Sequence, residues 1–244
     1  MKNNLSFINV YENKSIKSQV VTQLLYGDTF KKVKVLGLWI KIKNDTDGYI
    51  GYIKNKKFPK KSKNTHKIFS FSSNLYSKPN KKYKIKKKLS YGSKIEVIEK
   101  KSNFYKFDNF WIKIKDCKKI NYKEKNIFKN IKNFINTKYK WGGKHFSGID
   151  CSALIQIFLN NNNQFCPRDT KDQIKYFKRK VSVKNLKKYD LIFWKGHVAL
   201  ALSKSKLIHA YGPIKKVAVM PIKSTIQRID KTANLKVIGI RRIL

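Results

Sequence analysis

Cys151 is the thiol best placed for nucleophilic chemistry in this chain of 244 residues. Apolar residues at helical spacing within 154–159 predict a helix that begins near Cys151. A thiol in the first turn of a helix lies near unpaired backbone N–H groups and the positive end of the helix dipole, which favour the thiolate. Asp150, immediately before it, is a typical N-cap residue. A buried structural cysteine at a helix start gives the same pattern, so position alone leaves both interpretations open.

Two histidines could complete a catalytic set around this thiol. His197 follows Gly196 at the start of a predicted strand, and His209 lies on the adjoining predicted strand, joined by a hairpin at 203–206. A nucleophilic thiol needs a base, and the base needs a third group that fixes its tautomer and orientation. The sequence therefore predicts Cys151 as nucleophile, His197 as base and His209 as the orienting group. The alternative for His209 is a histidine that only satisfies a buried hydrogen bond.

The elements around these residues predict an α+β domain over residues 122–244. Apolar residues at helical spacing within 127–135 predict an amphipathic helix ahead of the one that begins at Cys151. Strands are predicted at 191–194, 197–202 and 207–210. Helices followed by a sheet are typical of the α+β class.

The first half of the chain contains an internal repeat. Its matched pairs are Tyr11 with Tyr76, Tyr26-Gly27 with Tyr91-Gly92, and Trp39-Ile40-Lys41-Ile42-Lys43 with Trp111-Ile112-Lys113-Ile114-Lys115, the last slightly shifted. Short alternating segments such as 94–99 predict strands, and the strand-rich copies predict two small all-β barrels. Residues 1–57 and 67–121 are the predicted barrels, and the charged, proline-containing stretch 58–66 is the predicted linker.

The net charge of +43 comes from 57 lysines and arginines, of which only five are arginines. Nucleic-acid surfaces usually include arginine because its guanidinium pairs with phosphates and guanine edges in a forked geometry. The composition therefore argues against nucleic acid as the main partner. The charge would still raise the local concentration of anionic substrates, and salt would weaken that effect.

The cysteines and the N-terminus narrow the class of protein further. Cys117 and Cys166 are interpreted as small hydrophobic residues, and no cysteine spacing indicates a disulfide framework, a zinc site or another cofactor. No apolar run approaches the roughly 20 residues of a membrane helix. The first residues lack the apolar region of a signal peptide, from which we expect a cytoplasmic location. No pattern indicates an oligomeric state.

A series of spaced motifs in residues 122–244 resembles the NlpC family of papain-like cell-wall cysteine peptidases. In order, they are Tyr139-Lys140-Trp141-Gly142-Gly143, Gly148-Ile149-Asp150-Cys151-Ser152-Ala153-Leu154, Pro167-Arg168-Asp169-Thr170, Asp190-Leu191-Ile192-Phe193, Gly196-His197-Val198 and Ile208-His209-Ala210. The chain departs from the family pattern at Ala153 and Tyr189, where glycine is usual. Neither change removes a group that the chemistry needs.

The two β modules resemble bacterial SH3-like domains. Two such domains before an NlpC-type domain are similar to the arrangement in γ-D-glutamyl-L-diamino acid endopeptidases. That resemblance implies hydrolysis of the amide between D-glutamate and a diamino acid in peptidoglycan stem peptides whose N-terminal L-alanine is free, a step of muropeptide recycling. The sequence does not indicate which diamino acid is preferred.

The same resemblance implies a set of substrate-binding residues. A tyrosine of the first β module would reach the cleft, with Tyr49 the better match and Tyr52 the second. Asp150 would hold the free amine, and the remaining contacts would come from Ser152, Arg168, Thr170, Tyr139 and Trp141. The backbone N–H of Cys151 would help to stabilise the oxyanion. The alternatives are a barrel aromatic for Tyr49, a surface ion pair for Arg168 and a core residue for Trp141.

Other functions stay open beside the recycling peptidase. A wall-degrading hydrolase acting on intact peptidoglycan would share these motifs, as would an amidase or acyltransferase with the same Cys-His pair. A non-enzymatic SH3-type wall-binding protein would tolerate loss of Cys151, His197 or His209, and all three are present.

Overall fold

The computed structural model describes residues 1–243, so Leu244 at the end of the predicted third domain lies outside the described residues. The three helices are α1 (Cys151–Asn161), α2 (Thr170–Tyr176) and α3 (Ile222–Ala233). The strands are β1 (Phe7–Tyr11), β2 (Val20–Leu25), β3 (Phe30–Leu36), β4 (Trp39–Asn44), β5 (Ile50–Lys54), β6 (His66–Ile68), β7 (Ser72–Tyr76), β8 (Lys84–Ser90), β9 (Lys94–Ile95), β10 (Glu99–Lys101), β11 (Phe104–Phe107), β12 (Phe110–Lys113), β13 (Cys117–Lys119), β14 (Lys144–His145), β15 (Gly148–Ile149), β16 (Arg179–Val181), β17 (Leu191–Trp194), β18 (His197–Ala201), β19 (Lys206–Tyr211), β20 (Lys216–Pro221) and β21 (Gly239–Arg242).

The first β module (residues 1–57) is built on one antiparallel sheet in the order β2-β1-β5-β4-β3. Alternation along β4 places Ile40 and Ile42 in the core while Lys41 and Lys43 are more exposed. Phe58, from the predicted linker, is 5% exposed and packs into the same core. The stretch 55–65 has no regular secondary structure, and it is anchored to the module by this side chain.

The second β module, which begins with β6 at His66 and runs to residue 121, follows the same path through its main sheet, in the order β8-β7-β12-β11-β10. A second, three-stranded sheet is made by β13, β6 and β9. Tyr11 contacts Trp39 edge to face at 5.6 Å in the first module, and Tyr76 contacts Phe104 in the same way at 5.1 Å in the second. The structure thus supports a duplicated topology, while assignment of the second module as SH3-like stays a prediction.

Two details of the sequence-based prediction for these modules were wrong. Trp111 pairs with Tyr76 as Tyr52 pairs with Tyr11, so the structural counterpart of Trp39 is Phe104 and not Trp111. Counted along the chain, Trp39 lies on the fourth strand of its sheet, β4, and Trp111 lies on the fifth strand of its sheet, β12. The single strand predicted at 94–99 is divided between β9 and β10, which belong to different sheets.

The prediction of an amphipathic α-helix over 127–135 was also wrong. The segment forms successive turns and a 3-10 helix, Ile131–Phe134, with backbone hydrogen bonds between residues three apart. Phe128, Ile131 and Phe134 are buried, as expected, because a three-residue repeat also places them on one side. Ile135 is 37% exposed.

The main sheet of residues 122–243 is six-stranded and antiparallel, in the order β16-β21-β17-β18-β19-β20, and a separate two-stranded sheet is formed by β14 and β15. Helix α1 packs against β18 and β19. It is buried along almost its whole length, and the predicted start at Cys151 and the three central strands are confirmed. Residues 1–243 contain no helix that is both long enough and apolar enough to span a membrane.

The second module and α1 share buried contacts. The ring of Tyr91 stacks on Phe158 of α1 with centroids 4.7 Å apart. Lys67 is 1% exposed, and its ammonium donates to the carbonyl oxygens of Asn161, the last residue of α1, and of Tyr122. A cation at this position compensates the unpaired carbonyls and the negative end of the helix dipole. The C-terminal end of α1 is therefore held by the second module.

Candidate active site

Cys151 is the first residue of α1, held there by a tight hairpin and an N-cap. The strands β14 and β15 form the hairpin, and Asp150 follows it in extended conformation. The Asp150 carboxylate accepts a hydrogen bond of 2.8 Å from the backbone N–H of Ala153, which satisfies one of the free donors of the first turn. The N-cap interaction predicted from the sequence is confirmed, and the thiol lies at the positive end of the helix.

The two predicted histidines lie on one face of neighbouring strands. Nε2 of His197 on β18 is 2.9 Å from Nδ1 of His209 on β19. The residue before His197 lies close to the thiol, because the carbonyl oxygen of Gly196 is 4.0 Å from Sγ of Cys151. The fold thus brings all three predicted catalytic residues to one place.

His209 has a second partner that the sequence did not indicate. Its Nε2 lies 3.2 Å from Sδ of Met220 on β20, and its ring stacks on Tyr211 at 4.7 Å. A thioether sulfur accepts hydrogen bonds weakly and cannot donate. The Nε2 of His209 therefore carries its proton, Nδ1 of His209 is the acceptor, and Nε2 of His197 is the donor. This arrangement leaves Nδ1 of His197 free to take a proton from a thiol.

Burial governs the protonation of this set. Desolvation raises the pKa of Cys151 to about 12, with Asp150 adding to the rise. The backbone N–H groups of Val198 and Ser152 act in the opposite direction, as expected for a helix start, but do not outweigh burial. Burial lowers the pKa of His197 to about 4 and that of His209 to about 3. Burial therefore favours the uncharged form of all three groups.

Arg168 forms an ion pair with Asp150, the residue immediately before Cys151. The guanidinium is 3% exposed and binds both carboxylate oxygens, from Nη1 at 3.1 Å and from Nη2 at 2.5 Å. Nη1 also donates to Oγ of Ser152 at 2.9 Å, and Nε donates to Oγ1 of Thr22 at 2.9 Å. Burial alone would lower the pKa of Arg168, but the Asp150 carboxylate raises it.

These contacts bear on two of the sequence-based interpretations. The partner of Arg168 is a buried carboxylate, so the alternative of a surface ion pair was wrong. Asp150 also accepts from the backbone N–H of Gly142 at 2.9 Å, so both of its oxygens are already occupied. Thr22 belongs to the first β module, and the Arg168 contact therefore ties that module to the start of α1.

A cleft of about 480 Å³ opens beside Cys151, between the first β module and the C-terminal domain (residues 122–243). All seven residues predicted to bind substrate line it: Tyr49, Tyr139, Trp141, Asp150, Ser152, Arg168 and Thr170. Tyr49 donates from its hydroxyl to Asp169 at 3.1 Å, and burial raises its pKa. Trp141 is 55% exposed at the rim, so its alternative as a core residue was wrong. Tyr52 does not line the cleft.

The cleft also contains residues for which the sequence suggested no role. Asp169 and Glu12 add carboxylates, and Lys171 and Lys195 add cations. Burial raises the pKa of Asp169, while Arg168 and Tyr49 act against that rise. The sequence could have pointed to Asp169, because this residue lies within the motif Pro167-Arg168-Asp169-Thr170. No sequence feature distinguishes Glu12 or Lys195, because charged residues occur throughout the chain.

Comparison with known proteins identifies two of the segments. Residues 136–233 match the NlpC/P60 family model, and residues 6–57 match the bacterial SH3 domain model. A dipeptidyl-peptidase 6 of Lysinibacillus sphaericus is 34% identical over 85 residues, which are 35% of this chain and 31% of that protein. A probable endopeptidase NlpC homolog of Haemophilus influenzae is 35% identical over 80 residues, covering 32% of this chain and 43% of that protein. The chain thus spans less than half the length of each relative.

The whole architecture has a counterpart among solved structures. An NlpC/P60 family protein from Bacillus cereus superposes with a TM-score of 0.84 over 100% of this chain and 99% of that one, at 19% identity. An NlpC/P60 endopeptidase from Photobacterium damselae gives a TM-score of 0.64 over 96% and 69%, at 14% identity. At these identities the likeness concerns the fold. The two segment matches show that the chain carries a bacterial SH3 domain followed by a domain of the NlpC/P60 family, a family of cysteine peptidases.

Proposed function

We propose that the chain is a cysteine endopeptidase that hydrolyses the γ-D-glutamyl to diamino acid amide in short peptidoglycan-derived peptides with a free N-terminal L-alanine. The observation that carries this proposal is the wall that the first β module forms beside Cys151. Glu12, Gln19 and Tyr49 from that module line the same cleft as the thiol. Its volume lies within the roughly 300–1,000 Å³ typical of small-ligand sites.

In this proposal the thiol of Cys151 attacks the carbonyl carbon of the γ-amide while its proton passes to Nδ1 of His197. The backbone N–H of Cys151 stabilises the oxyanion. His197 then gives the proton to the amine of the leaving diamino acid, and the C–N bond breaks to leave a thioester. Water, deprotonated by the same imidazole, hydrolyses the thioester. His209 acts throughout by orienting His197.

The free amine of the substrate needs an anionic partner. The sequence suggested Asp150, but both of its oxygens are bound by Arg168 and backbone N–H groups. Asp169 and Glu12 are the other carboxylates that line the cleft. We therefore propose that Asp169, fixed by Tyr49, and Glu12 contact the ammonium group directly. Asp150 would act by holding Arg168 and Ser152 in place.

Ser152 and Thr170 would then contact the peptide, with Tyr139 and Trp141 as the sides of the cleft. A role in recycling, and with it a cytoplasmic site of action, belongs to the same proposal. The wall-degrading alternative predicts a different substrate preference, because glycan-linked stem peptides have no free alanine amine.

The test compares three substrates with purified protein: the free tripeptide L-Ala-γ-D-Glu-diamino acid, its N-acetylated form and intact sacculi. We expect L-Ala-γ-D-Glu to be released from the free tripeptide only, as measured by mass spectrometry. Cys151→Ser should abolish release while leaving the circular dichroism spectrum unchanged. Equal rates on the acetylated peptide or on sacculi would favour the wall-degrading hydrolase, and equal activity of Cys151→Ser would overturn the mechanism.

A further inference from the structure

A second groove, of about 460 Å³, lies on the His197 side of the catalytic residues. It is bounded by His197, by Tyr211 and by the face of α3 that carries Arg228. Three residues, Tyr139, Lys195 and Gly196, line both this groove and the cleft beside Cys151. The two depressions therefore meet at the catalytic residues, and a peptide bond placed at the thiol would have one side in each.

The two depressions differ in charge. The cleft is lined by three carboxylates, those of Glu12, Asp150 and Asp169, and by three cations, Arg168, Lys171 and Lys195, so its charges balance. The groove is lined by the cations Lys195 and Arg228. No carboxylate lines the groove within residues 1–243. The guanidinium of Arg228 lies on an exposed face of α3 and has no ion-pair partner in the described part of the chain. A peptide whose amine occupies the cleft would therefore direct its carboxylate end into the groove.

We propose that this groove binds the leaving diamino acid and that Arg228 and Lys195 pair with its carboxylates, an inference that rests on the proposed function. A guanidinium can hold a carboxylate through two parallel hydrogen bonds, whereas an ammonium acts as a point charge. A tripeptide that ends in diaminopimelate offers two carboxylates beyond the scissile amide, and one that ends in lysine offers one. The side-chain amine is common to both.

The pairing of two cations with two carboxylates favours the diaminopimelate peptide. Because Arg228 is exposed, the gain is that of a solvent-accessible ion pair, and we expect about a fivefold difference in dissociation constant. The difference should shrink as salt is added, since the pair lies in water. Chemistry at Cys151 and contacts in the cleft should be the same for both peptides.

The experiment measures binding without turnover by titration calorimetry of the Cys151→Ala protein. The ligands are L-Ala-γ-D-Glu-meso-diaminopimelate and L-Ala-γ-D-Glu-L-Lys. We expect the first to bind about fivefold more tightly and the preference to disappear when Arg228→Gln is added. Lys231→Gln, on the same helix but outside the groove, is the matched control and should leave the preference intact.

The outcomes separate this inference from the proposed function. Equal binding of the two peptides by the Cys151→Ala protein, or a preference that survives Arg228→Gln, would overturn the inference and leave the proposed function standing. Failure of both peptides to bind would overturn the proposed function and the inference together.

Discussion

His197 donates from Nε2 to Nδ1 of His209 across 2.9 Å, and the only further partner of the His209 ring nitrogens among the described residues is the sulfur of Met220. The second imidazole is therefore an acceptor without charge. A carboxylate in that position would stabilise an imidazolium strongly, whereas a neutral imidazole does so weakly. In the proposed mechanism, geometry therefore orients the base His197 more than charge does.

Substitution of His209 should separate orientation from the rest of the site. His209→Leu removes the acceptor for His197 Nε2–H, and we expect kcat to fall about 10²-fold or more with little change in KM. His209→Gln keeps an acceptor oxygen and should recover part of that loss. Steady-state kinetics on the free tripeptide measure both. Equal kcat values for the two variants would contradict an orienting role.

The pKa of Cys151 predicts slow alkylation at neutral pH. Because burial raises the pKa of this thiol to about 12, the thiolate fraction, and with it the rate of reaction with iodoacetamide, should rise about tenfold per pH unit from pH 7 to 10. Mass spectrometry of the peptide that contains Cys151 follows the reaction separately from the buried Cys117 and Cys166. A rate that is constant between pH 6 and 8 would indicate a thiolate–imidazolium pair and contradict the prediction.

The buried ion pair of Arg168 and Asp150 should be important for folding. Arg168→Met leaves the Asp150 carboxylate buried without its partner, and we expect the free energy of unfolding to fall by about 3–5 kcal/mol in urea titrations. The exposed pair of Lys61 and Asp45 is the control. Lys61→Met should change the free energy of unfolding by less than about 1 kcal/mol. Similar losses in the two variants would show that burial of the Arg168 pair has no special effect.

Two glycines provide a test of how closely the first β module must approach. Gly142 has φ +71°, and a Cβ there would lie 2.2 Å from the carbonyl oxygen of Val20. Gly37 has φ +60° with no atom within 4 Å of an added Cβ. Gly37→Ala should cost only about 1 kcal/mol, from its backbone conformation. Gly142→Ala should cost about 2 kcal/mol more, because the contact with Val20 adds to the same backbone strain.

The Gly142→Ala substitution should also affect function. Displacement of the module would move Tyr49 and Glu12 away from the thiol, so we expect KM for the free tripeptide to rise more than kcat falls. Unfolding in urea and steady-state kinetics of the two variants give the comparison. If the two alanine variants were equally stable and equally active, the close approach at Val20 would have no consequence.

Local patterns in the sequence predicted the centre of the site because they act over short distances. The apolar spacing and the N-cap Asp150 define the start of α1, and the alternation on either side of the 203–206 hairpin brings His197 and His209 together. The prediction was wrong at 127–135 because Phe128, Ile131 and Phe134 repeat every three residues. That period fits both an α-helix and the turns that the interspersed asparagines favour.

Longer-range features had no signal in a single sequence. Thr22 is 146 residues from Arg168, and nothing around either residue indicates that they meet. Met220 is one of two methionines, and an apolar side chain of this kind carries no sequence signal for a contact with His209. Arg168 binds both carboxylate oxygens of Asp150 because the two side chains are buried together. Composition and residue spacing carry no information about that shared burial.

The helix α1, which begins at Cys151, is fixed at both ends by other parts of the chain. Arg168 links its start to Thr22 of the first β module, and Lys67 of the second module binds the carbonyl of its last residue. Neither module can detach without exposing one end of α1. Although the chain contains three segments, this arrangement couples their unfolding, so that calorimetry of the whole protein should give one transition whose van't Hoff and calorimetric enthalpies agree.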